Sequence, residues 1–272
     1  MVFRMCSIGG KAYRGDRDAL EDEKRYKKSS SIQVDDIEVE SNSRARSSSS
    51  RTQVDAQTRR KMSLGGESEH FKDSRLISDI EDASNSQSEH ATTMNGFFTV
   101  LSLCHTVLAA TNNETGNIEY KAQSPDEAAL VQAAADVGYV FLGKDKEILS
   151  LSTPHSTSAE KYELLDILEF TSARKRMSVV LRKLDAGNDD LLMLTKGADN
   201  VIFERLRSGE EDLKADTESH LSEFANSGLR TLTLAFRTIP GEFFWGVLFL
   251  PELTYCQLMS TNLGVNDIIK PQ

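Results

Sequence analysis

The chain has no long hydrophobic run. No stretch reaches the roughly 18 apolar residues that a spanning helix needs. The nearest candidate, Gly96 to Ala110, is interrupted by Thr99, Ser102, His105 and Thr106, and Phe243 to Leu250 is short. The N-terminus carries no stretch resembling a signal peptide. Cysteine is scarce: Cys6, Cys104 and Cys256 are odd in number and far apart. That excludes a disulfide framework or a zinc spacing and suits a reducing compartment. The five histidines have no partner at metal spacing. Walker A and Rossmann glycine patterns are both missing. Basic residues are outnumbered, and the net charge of -10 argues against a general nucleic-acid binder.

What remains is near-ordinary globular composition, 39% hydrophobic and 27% charged over 272 residues. Residues 1–13 read as strand, turn and strand, with Gly9-Gly10 at the turn. Residues 14–90 are rich in Ser, Arg, Asp and Glu and poor in aromatics. They bury too little apolar surface to offset ordering entropy and read as a disordered insert. Within it, RARSSSS (Arg44 to Ser50) and RRKMS (Arg59 to Ser63) resemble sites for basophilic kinases, and GGES (Gly65 to Ser68) faintly resembles a phosphatase loop.

Residues 91–240 form the expected folded core. Gly96 to Ala110 reads as a buried helix that contains His105, a packing rather than a catalytic histidine. Ser124 to Gly138 reads as a second helix. Ser124 is its candidate N-cap, Pro125 its first residue, Glu127 the completing member of a capping box, and Gly138 the C′ residue. Leu130, Ala134 and Val137 line one face. Strands are expected at 139–142, 162–170, 177–184, 191–195 and 231–237, with 185–190 as a hairpin turn. Asp199 is a candidate cap for a helix to Arg205, and a further helix spans 217–226. This pattern predicts an α+β fold with a mainly antiparallel sheet flanked by helices. Residues 241–272 show no clear period.

Six motifs stand in order: CSIGGKAYRG (Cys6 to Gly15), LSLCHTV (Leu101 to Val107), SPDEAALV (Ser124 to Val131), EFTSARKRMSVVLR (Glu169 to Arg182), KGADNVIFERL (Lys196 to Leu206) and SGLRTLTLAFR (Ser227 to Arg237). Together they resemble the nucleotide-binding domain of the P-type ATPases, specifically the phospholipid-flippase subfamily. The resemblance implies an ATP-binding domain that presents ATP, with Mg²⁺, to an aspartate of a separate phosphorylation domain. It implies that Glu127 lies near the adenine or its amino group, from which a carboxylate can accept. The same Glu127 also has the capping-box reading. Phe170 would stack on the base; its other reading is an ordinary core aromatic. Lys196 would reach the nucleotide, beside a glycine that permits close approach, and Arg230 would lie near the phosphates. Ser172, Arg174 and Thr231 are weaker candidates. Of Arg174 and Arg176, strand alternation leaves one as a solvated charge.

By the same resemblance the parent is an integral membrane protein with this domain in the cytosol. Its partners would be a phosphorylation domain, an actuator domain, membrane helices and an accessory subunit, with no nucleic acid. The family's Asp-Lys-Thr-Gly-Thr motif is not in this sequence. The expectation is therefore a soluble cytoplasmic fragment that is inactive alone, with no catalytic residue and no metal ligand of its own. After Pro240 the match fades. The tail reads as translated intron, since Gly241-Glu242-Phe243 can be encoded across a splice donor and Thr261-Asn262 across a branch-point element. Two other readings are a truncated gene product and a non-catalytic interaction fragment controlled by phosphorylation of the serine-rich insert.

Overall fold

The computed structural model describes residues 2–15, 71–84, 88–112, 116–184, 187, 189–240 and, as a strand, 267–269. Three antiparallel sheets and five helices are described. The hairpin β1 (Met5–Ile8) and β2 (Lys11–Arg14) forms one sheet. Its Gly9-Gly10 turn has φ of 55° and 83°, the doubly positive geometry of a two-residue turn that matches strand twist. β3 (Leu108–Thr111) and β4 (Ile118–Lys121) form the second. The third runs in the order β11-β10-β9-β8-β7-β6-β5. Its members are β5 (Val140–Asp145), β6 (Ile148–Ser152), β7 (Glu160–Leu168), β8 (Arg176–Lys183), β9 (Leu191–Gly197), β10 (Thr233–Ile239) and β11 (Asp267–Ile269). Every pairing is antiparallel, so the expected α+β class with a mainly antiparallel sheet holds.

The helices are α1 (Ser74–Ser84), α2 (Glu89–Leu103), α3 (Pro125–Asp136), α4 (Asp199–Phe203) and α5 (Glu211–Asn226). α2 is the central one. From Phe97 to Leu103 every residue is buried, because α1, α3, β1 and the large sheet each pack on part of it. A helix apolar all round belongs inside a protein. Its Phe97 and Phe98 rings meet at 5.0 Å, and Phe98 stacks on Tyr139 at 5.1 Å. Full burial of each such side chain contributes about 1.5–3 kcal/mol.

Three expectations are corrected. The buried helix does not run to Ala110. It stops at Leu103, and 108–111 is strand β3, so His105 sits in the turn after the helix. Strand β6, with Leu149 and Leu151 facing the core, has no counterpart in the sequence reading. The segment 14–90 is not without structure throughout, because α1 lies inside it. Asp73, 1% exposed, is the reason. Its Oδ1 accepts from the N–H groups of Arg75 and Leu76 at 2.8 and 3.0 Å, and its Oδ2 accepts from the Arg14 N–H at 2.8 Å. One carboxylate thus caps the helix and ties it to β2. Leu76 and Ile80, one turn apart, bury the inner face. The kinase-like serine motifs and GGES lie outside the described residues, as does Cys256.

Candidate functional site

The site grows from the first turn of α3. Ser124 occupies the N-cap position with extended backbone, but its side chain makes no cap bond. The capping box is therefore not formed, because the Glu127 carboxylate is used elsewhere. Lys196 Nζ donates to Glu127 Oε1 at 2.7 Å. Thr106 donates to Glu127 Oε2 twice, from Oγ1 at 2.8 Å and from its backbone N–H at 3.4 Å. The Lys196 and Glu127 side chains are only 10% and 17% exposed. Burial pushes the Glu127 carboxyl up, but the Lys196 charge and the bonds from Lys196 and Thr106 outweigh it and hold the carboxyl below the usual glutamate value.

Lys196 is the penultimate residue of β9, opposite Met177 of β8. Partners directly opposite share a face, and Met177 belongs to the main core under α2. Lys196 therefore projects to the helix-covered side. Gly197 does not leave room for a ligand, as the sequence reading supposed. A Cβ there would lie 2.6 Å from Arg176 Cβ and 2.7 Å from the Lys175 carbonyl. The glycine admits the neighbouring strand's backbone instead. Arg176 is opposite Gly197 and so faces away from Lys196, on the side where Thr195 Oγ1 donates to Ser178 Oγ at 3.0 Å. Arg176 is 8% exposed; burial, then the charges of Arg205 and Arg174, lower its pKa.

Phe170 lies two residues beyond the end of β7 and is 62% exposed, which overturns the core-aromatic reading. Its loop is held tightly. The Arg174 guanidinium donates to the carbonyls of Leu168 and Glu169 at 2.9 and 2.8 Å. The Lys175 N–H donates to the Thr171 carbonyl at 2.8 Å, and the Ala198 N–H donates to the Lys175 carbonyl at 3.0 Å. That last bond fastens the Phe170 loop to the residues just after Lys196. Arg174 thus braces this loop, and Ser172 is exposed on it.

Arg230 is the most open member. It donates to Asp126 Oδ2 at 2.6 Å, with side chains 76% and 37% exposed, and such a pair contributes about 0–1 kcal/mol. Thr231 beside it is half-buried. The structure therefore gathers Glu127, Lys196 and Arg230 around the start of α3, with Asp126 and Glu127 as adjacent anchors. Sequence reasoning missed Thr106 and Asp126. Both lay in quoted motifs, LSLCHTV and SPDE, but nothing in a one-dimensional pattern pairs residue 106 with 127 or 126 with 230. Among the described residues no group of three or more His, Cys, Asp and Glu is placed to hold a metal ion. Nor is any helix long and apolar enough to cross a membrane.

The family described as P-type ATPase, cytoplasmic domain N, matches residues 93–252. The chain belongs to that family. The match spans α2 to β10, holds every site residue above, and runs past Pro240 into the segment set apart on sequence. Among curated proteins, the chain is 44% identical to phospholipid-transporting ATPase 10 of Arabidopsis thaliana over 55% of its own length and 12% of that protein's. It is 42% identical to phospholipid-transporting ATPase dnf2 of Schizosaccharomyces pombe, over 63% and 12%. It is 43% identical to phospholipid-transporting ATPase ID of Mus musculus, over 54% and 12%. The domain N chain thus spans about an eighth of the length of these relatives.

Proposed function

We propose that this domain N binds ATP as part of a phospholipid-translocating P-type ATPase and presents the nucleotide to a phosphorylation domain. The observation that carries the reading is the nearly buried Lys196–Glu127 pair at the start of α3. The pair puts a cation and a carboxylate acceptor 2.7 Å apart in a nearly buried setting, where electrostatic interactions are stronger than in water. Phe170 adds an aromatic ring open to solvent, suited to stacking on a purine.

In this reading Glu127 accepts from the adenine amine, Phe170 stacks on the base, Lys196 engages the nucleotide, and Arg230 exchanges Asp126 for phosphate oxygens. An arginine held only by an exposed carboxylate is readily redirected. Mg²⁺ arrives with the ATP phosphates and supplies charge neutralisation during transfer. This chain's own contribution is to bind and orient. The relatives' names point to phospholipid as the transported substrate. The parent's membrane helices, actuator domain and accessory subunit belong to the same proposal.

The test is equilibrium titration with ATP of the wild-type chain, Phe170→Ala and Lys196→Ala. Saturable binding that weakens about tenfold or more in each variant supports the reading. A folded wild-type chain that does not bind ATP contradicts it.

A further inference from the structure

Between α2 and β3 the chain turns through Cys104, His105 and Thr106, part of a motif whose side chains the sequence reading left without a ligand role. Each of the three is committed. The buried Cys104 thiol points at two strands, with Sγ 3.8 Å from the Met177 carbonyl and 3.7 Å from that of Leu194. Burial raises its pKa to about 11, so it stays a thiol at neutral pH. His105 clamps its own turn. Its Nδ1 accepts from the Val107 N–H at 3.0 Å, so Nε2 carries the proton and donates to the Ser102 carbonyl at 2.7 Å. The ring meets Phe141 edge-on at 4.7 Å. These contacts fix the backbone that presents Thr106, whose hydroxyl and N–H both fall on Glu127 Oε2.

We propose that Thr106 is a positioning residue for base recognition: by holding Glu127 Oε2 with two donors, it leaves Oε1 aimed to accept from an exocyclic amine of the nucleotide base. This rests on the ATP-binding reading above. The terminal torsion of a glutamate is broad, so a carboxylate held by Lys196 alone can swivel once that lysine turns to a bound nucleotide. A carboxylate also held through Oε2 cannot. The consequence is selectivity. An amine at that position of the base donates to Oε1, whereas a carbonyl there faces a negative oxygen and is rejected.

The experiment compares ATP with ITP, whose base carries a carbonyl in place of the amine, on the 272-residue chain. Thr106 is exposed, so Thr106→Val removes the hydroxyl at a position that does not build the core. The expected result is that wild type prefers ATP. Thr106→Val then weakens ATP about fivefold to tenfold, the scale of one charge-assisted hydrogen bond, and leaves ITP within about twofold. Thr106→Ser, which keeps the hydroxyl, restores the ATP preference. Equal weakening of both nucleotides, or no change in either, overturns the role of Thr106. A wild-type chain that binds ATP and ITP equally overturns base reading by Glu127 while leaving ATP binding standing. A folded chain that binds neither overturns the proposed function and this inference with it.

Discussion

Lys196 and Glu127 neutralise each other, so a ligand that takes the lysine has to compete with the carboxylate. The pair also stabilises the fold. Lys196→Ala leaves a mostly buried carboxylate with donors from Thr106 only, and urea unfolding should show a loss of about 1–3 kcal/mol. His105 and Glu127, neighbours across the same turn, both make stability fall with acid, in different windows. His105 is held neutral, its pKa lowered by burial to about 4 from 6.5. Between those values the unfolded chain binds a proton that the folded chain refuses. Stability therefore falls as pH drops through that window, by on the order of 3 kcal/mol. Glu127 acts lower. Its folded pKa is depressed, so its contribution is complete above the ordinary glutamate range and is lost as pH falls through the folded value. Thermal melts from pH 7 to 4 should show the first slope in wild type and a clearly shallower one in His105→Gln, where the smaller downward shift of His155 remains.

Among the elements, the meeting of β8 and β9 does most to place the site. Their register puts Lys196 under the helices and Arg176 on the far face, and Gly197 lets the two backbones close up. Gly197→Ala should cost about 1–3 kcal/mol through overpacking, seen as a lower urea midpoint, because the atoms it meets are Arg176 Cβ and backbone. Strong periodicity and turn chemistry made much of the fold legible in the sequence. The Gly9-Gly10 hairpin, the helix after Pro125, and strands β7 to β10 lie within a few residues of their expected places. Elements that depend on distant partners were not legible. α1 is a polar stretch capped by Asp73, which also binds the β2 strand some 60 residues away, with Leu76 and Ile80 buried, and β6 is a short strand that alternation did not reveal. The site divides in the same way. Glu127, Phe170, Lys196 and Arg230 came from motif resemblance, whereas Thr106 and Asp126 needed three dimensions. The capping-box pattern at Ser124 and Glu127 misled, because Lys196 and Thr106 compete successfully for that carboxylate.

On the scale of the whole molecule, domain N membership covers α2 to β10, and the relatives are about eight times longer than the matched part. β11 (Asp267–Ile269) pairs with β10 at the sheet edge, so the segment after Pro240 contributes a strand. A binding domain that orders a nucleotide is stabilised by it through mass action. At ATP about a hundredfold above its Kd, unfolding should be harder by about 2.7 kcal/mol, a shift of a few degrees in melting temperature. Lys196→Ala at the same ATP concentration should shift far less.

The most direct measurement is a calorimetric titration of the wild-type chain with ATP, repeated on Lys196→Ala and Phe170→Ala. The account predicts saturable binding at one site per chain, weakened about tenfold or more by either substitution. Heats indistinguishable from dilution, in a chain whose melting curve shows it folded, would contradict the assignment of Glu127, Phe170, Lys196 and Arg230 to a nucleotide site.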